Sequence, residues 1–536
     1  MSAIDSLHDV IRAAAAAVAG AEVDSVKLET PPRADLGDFS TNAPLLLAPR
    51  LGVAPREVAG RIVAELEQRL GGMLERAEVA GPGFLNLHLH DRWFLDALGD
   101  VLADGERFGA ATLDPPIAVN LEFVSANPTG PLHIGHARGA AYGDALSRIL
   151  EFRGFAVTRE YYINDFGSQV VKLGESVRAL ALGEPVAPDG YHGDYVATLV
   201  ASERARELDL DAISREACEA CLVLIRRSLE RFGVSFDVWF SERSLHEGNA
   251  VARVLEALAA RGQTFTRDGA LWLRTSTHGD DKDRVLVRSS GEHTYFTSDI
   301  AYLEDKRERG YQLIAFVWGA DHHGYIARLK AAHAALGGDP DTVEIVIQQF
   351  VHLTGVEGRT AMSKREGEYV TLDELVDEIG VDAARFFLLA RSHDTTVDLD
   401  LDLAVRQSAE NPVYYVQYAH ARIASILAKA GEARVAEALS QISPVEPLHP
   451  SERALLKRLL AFPAELADAA ERRAPHRVAS YALELAQEFT AFYRDCHVVG
   501  VEPRETESLR LALSLAAART IARALGLLGV SAPSEM

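Results

Sequence analysis

Thiols are nearly missing from this chain. It has three cysteines in 536 residues, too few for a disulfide framework. Two of them, Cys218 and Cys221, form a CxxC inside a helix-like run, DAISREACEACLVLIRRSLERF, with no second thiol pair nearby. Zinc and redox chemistry are therefore set aside, and small buried thiols of a cytosolic protein are expected. Long apolar runs are missing too. The longest near the start, Ala13 to Ala19, is far short of a membrane span, so no membrane partner is expected. The opening MSAIDSLHDVIRAAAA carries Asp5 and Asp9 and no basic start, which reads as an amphipathic helix and not as a signal or transit peptide. A cytoplasmic location follows. Internal repeats and long low-complexity tails are absent. Basic charge is in deficit, with a net charge of −23. That balance disfavours a broad nucleic-acid surface and leaves room for a few local arginine-bearing faces.

What is present is an ordinary globular composition, 48% hydrophobic and 25% charged, in a chain long enough for several domains. Residues 1–110 combine helix-like segments (3–18 and 55–70) with strand-like ones, notably 77–89, AEVAGPGFLNLHL, an α+β unit. Between 111 and 390, strand-like runs (117–124, 157–163, 313–317 and 343–348) alternate with helix-like ones such as 137–153 and 324–336. That alternation predicts a parallel sheet with crossover helices, a Rossmann-type α/β nucleotide-binding domain. The stretch from about 170 to 290, helical in its first part, is expected as an insertion between its two halves. From 391 to 536 strand signals fade. Helical periodicity over 411–429, 451–472, 477–494 and 507–527 predicts an all-α bundle.

Two motifs carry chemistry. In Leu121–His136, LEFVSANPTGPLHIGH, a strand-like run meets a small-residue turn and a helix start. A helix N-terminus offers unpaired N–H groups and a positive dipole end, a cradle for phosphate. His133 and His136 add donors there, and Gly135 lets a nucleotide lie against the backbone. H-x-G-H alone should occur by chance in roughly one such chain in twenty, so the tetrapeptide needs support. It comes from EGRTAMSKREGEY (357–369), a polar, Gly-flanked stretch read as a mobile loop. Lys364, one of only eight lysines, lies there beside Ser363 and Arg365. Adjacent cations on a loop suit a triphosphate whose charge is neutralised as it reacts.

HIGH followed by an MSK loop resembles the class I aminoacyl-tRNA synthetases. SANPTGPLHIGHARG, YYINDFGSQ (161–169), TYFTSDIAY (294–302), WGADHHGY (318–325) and NPVYYVQYAHARI (411–423) together resemble arginyl-tRNA synthetases, in order and across most of the chain. The resemblance implies ATP-dependent ligation of L-arginine to tRNA(Arg) through an arginyl-adenylate, with Mg²⁺ accompanying ATP and a monomeric enzyme. It implies a catalytic trio of His133, His136 and Lys364. ATP would be bound by His133, Gly135, His136, Gly319, Asp321, His322, Met362, Ser363 and Lys364. Arginine's planar guanidinium is best met by carboxylates; the resemblance gives that role to Tyr295 and Asp299, with Glu242 as a second acid. Ser125, Asn127 and His136 would take the α-amino end, Asp321 could join them, and Glu122 would brace the turn. For an Asp after Thr-Ser, helix capping is the ordinary explanation. The N-terminal unit would contact the outer corner of tRNA, with Phe84 stacking on a base and Asn86 bonding it; a plain hairpin core is the competing reading. The C-terminal bundle would bind the anticodon, with Tyr414, Tyr415 and Tyr418 near its bases, although a tyrosine stripe at helical spacing is more often core.

The sequence departs from the family in one respect. Ala361 replaces the first lysine of KMSKS, and Thr129-Gly130-Pro131 precedes HIGH without a lysine, so Lys364 is expected to work alone. Three other readings were weighed. Phosphopantetheine-type adenylyl transferases share H-x-G-H but are short. A non-enzymatic tRNA-binding paralogue predicts a damaged HIGH or loop lysine. Cysteine and methionine synthetases usually carry zinc ligands, which the sequence lacks.

Overall fold

The structure, a computed structural model, describes residues 2–31, 33–355, 370–440 and 447–536. The N-terminal unit opens with helix α1 (Ala3–Ala19), started by a reciprocal cap between Ser2 and Asp5 and ended by Gly20 at positive φ. Strands β1 (Leu28–Glu29) and β2 (Phe39–Thr41) follow, then α2 (Ala43–Leu51) and α3 (Pro55–Leu70). The hairpin β3 (Leu74–Ala80)–β4 (Phe84–Leu89) completes an antiparallel sheet of order β1-β2-β4-β3. Its turn is glycine for a reason. A Cβ on Gly83 would lie 2.4 Å from Pro55 Cβ. Helix α4 (Asp91–Asp104) leads into the second unit.

That unit is built on five parallel strands. β5 (Ala118–Glu122) is followed by α5 (Ile134–Phe152) and β6 (Ala156–Ile163). Helices α6 (Ser168–Leu182), α7 (Val196–Leu199), α8 (Ser202–Glu207) and α9 (Leu210–Arg231) then cross to β7 (Val238–Ser241). Short helices α10 (Glu242–Glu247) and α11 (Ala250–Ala260) precede an antiparallel trio, β8 (Thr264–Arg267), β9 (Ala270–Leu273) and β10 (Arg284–Val287). The chain re-enters through α12 (Tyr295–Glu308), β11 (Leu313–Gly319), α13 (Ile326–Ala335) and β12 (Val343–Gln348). The sheet order is β12-β11-β5-β6-β7, every pair parallel. The chain runs outward from β5 to β7, then returns to the other side of β5. The β5/β11 boundary is therefore a topological switch point, where crevices open at the carboxyl ends of strands.

The span 170–290 differs from the expected single insertion. Val238–Ser241 pairs with β6 as a full member of the main sheet, so two excursions flank it, one helical and one a small sheet. Val234, Phe236, Val238 and Phe240 alternate as a strand's residues should, but the run is short and lies among helix-like segments. Cys218 and Cys221 are buried in α9, and burial raises both thiols to about 12.

Beyond the sheet, β13 (Val351–Thr354) pairs in parallel with β14 (Val397–Asp400), across α14 (Leu372–Ile379) and α15 (Val381–Leu389). The helical C-terminal part thus starts later than 391. After the one-turn α16 (Leu401–Ala404) come α17 (Pro412–Ala430), α18 (Glu432–Ser440), α19 (Pro450–Leu460), α20 (Phe462–Glu471), α21 (His476–Asp495) and α22 (Arg504–Leu527). The run expected as one helix over 451–472 breaks at Ala461, because Pro463 is accommodated only in a first turn.

Buried arginines join the units. Arg385 in α15 pairs with Asp144 in α5, and donates to the carbonyls of Leu528 (2.9 Å) and Phe232 (3.1 Å). Arg138 in α5 donates to the carbonyls of Gln349 (2.6 Å) and Ser392 (2.8 Å). Arg453 in α19 pairs with Asp38 (2.7 Å) and with Asp91, and Lys457 reaches Asp38 at 2.5 Å, clasping the N-terminal unit to the helical one.

Candidate active site

Helix α5 starts where the sequence places its HIGH motif, and it is capped by imidazoles. His133 Nδ1 accepts from Gly135 N–H (3.1 Å), and His136 Nδ1 accepts from His133 N–H (3.3 Å). A ring that accepts through Nδ1 carries its hydrogen on Nε2, so each imidazole presents an Nε2–H donor beside a helix N-terminus. Burial, with His133 close by, holds His136 at about 3, and burial also lowers His133. Both rings are thus neutral donors, not cations. The close approach of α5 to β5 needs Gly143, where a Cβ would sit 2.1 Å from the Phe123 ring.

Between β5 and α5 the chain makes a strained turn. Val124 and Ser125 both have positive φ, 68° and 39°. Such conformations cost about 1–3 kcal/mol each and persist only where neighbours over-determine them. Here Ser125 Oγ donates to Glu122 Oε1 (3.0 Å) and accepts from Tyr162 N–H (3.1 Å). Asn164 donates to the Ser125 carbonyl (3.4 Å), Tyr161 to that of Ala126 (2.9 Å), and Tyr195 to that of Thr129 (2.6 Å). The brace by Glu122 is as expected. Asn127, at the crest, is exposed.

The third wall is acidic. Asp299 lies in the second turn of α12, not at its cap, and accepts from the Tyr325 hydroxyl. Burial raises its carboxyl to about 6, assisted by Glu122 and opposed by Tyr325 and Arg328. Glu242, only 6% exposed at the start of α10, is pushed to about 7 by burial, by Asp299 and by Asp165. A hydrogen bond with Tyr162 opposes the rise. Two buried acids that resist ionisation mark a candidate functional site.

The expected residues fall into place unevenly. His133, Gly135, His136, Ser125, Glu122, Asp299 and Glu242 converge on the sheet's carboxyl edge. Gly319 ends β11 across the switch point, with Asp321 and His322 exposed just beyond and 3.4 Å apart. Tyr295 stands at the first position of α12, 72% exposed, and the hydroxyl that meets Asp299 is instead that of Tyr325. Met362, Ser363 and Lys364 lie outside the described residues. In the N-terminal unit Phe84 is 37% exposed, whereas Asn86 is buried in the sheet, leaving Phe84 as the accessible member of that pair. On α17, Tyr415 packs onto the core, while Tyr414 and Tyr418 stack on each other at 6.0 Å and Tyr418 accepts from Arg422. Sequence reasoning missed Tyr162, Tyr302 and Tyr325 as hydroxyl partners of acids, and Lys306 beneath the turn. Asp299, Tyr302 and Lys306 share one face of α12 by their spacing, but the sequence does not say which way that face turns, and Tyr162 and Tyr325 lie on other elements.

A parallel sheet with a phosphate-ready helix at its switch point, a pinned strand-to-helix turn and an all-α appendage define a class I aminoacyl-tRNA synthetase. The family model described as "tRNA synthetases class I (R), catalytic domain" matches residues 98–178 and 200–425. "Arginyl tRNA synthetase N terminal domain" matches 5–89 and "DALR anticodon binding domain" matches 416–536. The arginine–tRNA ligase of Moorella thermoacetica is 46% identical over 531 residues, covering 96% of this chain and 94% of that protein. That of Bacillus subtilis is 43% identical, covering 99% of each. The solved arginyl-tRNA synthetase of Thermus thermophilus, 24% identical, shares the fold with a TM-score of 0.79 over 99% of this chain and 100% of that one. The chain belongs to the arginyl-tRNA synthetase family.

Proposed function

We propose that this chain charges tRNA(Arg) with L-arginine in two steps. Arginine's carboxylate attacks the α-phosphate of ATP in line, forming arginyl-adenylate and pyrophosphate. The 2′-hydroxyl of the terminal adenosine then attacks the activated carbonyl, releasing AMP. No covalent enzyme nucleophile is needed. Catalysis consists of positioning plus donors aimed at the phosphoryl oxygens.

In this reading the Nε2–H groups of His133 and His136, with the N-terminus of α5, receive the phosphate oxygens as charge develops. Lys364, beside Met362 and Ser363, holds the departing pyrophosphate. Gly319 admits the adenine, and Asp321 and His322 meet the ribose. ATP arrives as its Mg²⁺ complex, so the ion enters with the substrate. Asp299 and Glu242 grip the guanidinium, with Tyr295 at the rim, and Ser125, Asn127, His136 and Asp321 take the α-amino end. Lysine's compact ammonium would leave part of that forked site unpaired, which discriminates without editing. Phe84 serves the tRNA corner, and Tyr414 with Tyr418 the anticodon. We infer a cytoplasmic monomer, a reading supported by the family resemblance and tested by sedimentation.

The observation that carries this proposal is the buried acid pair, Asp299 and Glu242, beside a helix start fitted with neutral donors. Arginylation of tRNA(Arg) transcript, with ATP and each amino acid in turn, is the test. Arginine alone should be attached. Preferential charging with any other amino acid would overturn the reading.

A further inference from the structure

Beneath the strained turn lies a buried charge cluster that the reaction as described does not use. Glu122 ends β5, and its register partner on β6 is Glu160. Two carboxylates directly opposite each other on adjacent strands repel. Lys306, 0% exposed on α12, enters between them. Its Nζ donates to Asn120 Oδ1 (2.5 Å) and Glu122 Oε2 (3.0 Å), and forms an ion pair with Glu160 Oε1 at 3.2 Å.

The two acids differ in what else they have. Glu160 is fully provided for. Arg309 grips it with two bonds, 2.6 and 2.9 Å, Tyr302 donates at 2.5 Å and Asn120 at 2.9 Å. Arg309, with Lys306 and Tyr302, outweighs its burial and holds it at about 2. For Glu122, Lys306 is the ammonium partner, and the other carboxylate oxygen leads outward to the Ser125 hydroxyl. A chain of contacts therefore runs from Lys306 through Glu122 to Ser125, and on to the Tyr162 amide.

We propose that Lys306 is a positioning residue for arginine. It fixes Glu122, and through Glu122 the Ser125 hydroxyl, in the geometry that receives the amino acid's α-amino end. This deepens the function proposed above and rests on it. A buried ion pair is a poor source of stability, since apolar groups of similar size often replace one at no loss. Here the fold needs a cation for Glu160, and Arg309 already supplies it. The remaining task of Lys306 lies on the side that faces the turn. The same helix carries Asp299, so α12 would set both ends of the bound amino acid.

The test is tRNA-dependent ATP–pyrophosphate exchange with the full chain and tRNA(Arg) transcript. The variants are Lys306→Met, Glu122→Gln and their double. Lys306→Met should raise the arginine KM at least ~10-fold while the ATP KM stays within about twofold. The double variant should be no worse than the more affected single one, because both act on one chain of contacts. An unchanged arginine KM, an equal rise for ATP, or full additivity would overturn the inference. If Lys306→Met fails to fold, Glu122→Gln and Ser125→Ala decide. Each should show the same selective rise, and an unchanged arginine KM in Glu122→Gln would be fatal. Wild type in the same assay separates the two claims, since failure to activate arginine there would defeat the function itself.

Discussion

Asp299 and Glu242 show how a single pair of side chains can make an enzyme sensitive to acid. Their carboxyls sit near 6 and 7, above the ordinary carboxylate range, chiefly through burial. Arginine is always a cation, and in the binding mode proposed here it needs them ionised. The arginine KM should therefore rise as pH falls through about 7 and then about 6, with proton release on binding near neutrality. Calorimetry in two buffers of different ionisation heat would detect that proton, and buffer-independent heats at pH about 6.5 would refute it. The stability sign follows. A raised carboxyl pKa favours the fold below the unfolded value and loses that contribution as pH rises through the folded one. Stabilisation by arginine should then be larger at pH about 7.5 than at about 5.5, as thermal shift would read. The histidines behave differently. With His136 held at about 3, its titration should not mark adenylate formation between pH about 6 and 8. In the proposed mechanism the cationic part falls to Lys364. Lys364→Ala should slow single-turnover adenylate formation at least ~100-fold, about 2.7 kcal/mol of transition-state stabilisation. A near-normal rate would reassign the lysine.

Helix α5 is the element on which the crevice depends. Its N-terminus holds the imidazoles, and its body is tied by Arg138 and by the Asp144–Arg385 pair. Arg385→Met should destabilise the protein by about 1–3 kcal/mol, because Asp144 keeps Arg148 (2.7 Å) but loses its buried partner, and the carbonyls of Leu528 and Phe232 lose their donor. Urea denaturation would measure it, and a change below about 1 kcal/mol would show the pair to be dispensable. At this scale the sequence was readable where periodicity was long or a motif was dense. The ends of α3 and β12 coincide with expectation, whereas α5 starts at Ile134, three residues before the expected 137, because the His133 cap lets the HIGH motif itself form its first turn. Short or mixed elements were not readable. β7 contributes four residues to the main sheet yet sits among polar helices. The break between α19 and α20 turns on one proline, whose effect depends on local helix position. In the candidate site, His133 and His136 stand out in the sequence through their motif and Asp299 only through the family resemblance, and the structure brings the three to one edge of the sheet. Lys306 does not stand out, since a lysine in LEDKRERG looks like solvated helix surface and only the tertiary fold turns it inward.

For the molecule as a whole, a charged clasp links units far apart in sequence. Arg453 and Lys457 hold Asp38, and Arg453 also holds Asp91. These contacts keep Asp38 below its ordinary range despite burial. Arg453→Ala should loosen the N-terminal unit. Limited proteolysis between residues 105 and 117 should quicken, and tRNA affinity should fall several-fold while the arginine KM is spared. Unchanged cleavage and tRNA binding would show that the clasp bears no load. A different consequence follows from the Arg385 bond to the Leu528 carbonyl. The ribosome has released all five sheet strands once residue 348 has emerged, but the brace on Asp144 waits for a carbonyl 180 positions downstream. During that interval α5 has Arg148 on Asp144 and the Arg138 ties, and lacks only the last anchor of Arg385, so a chain stopped short of Leu528 should hold its crevice less firmly than the full one.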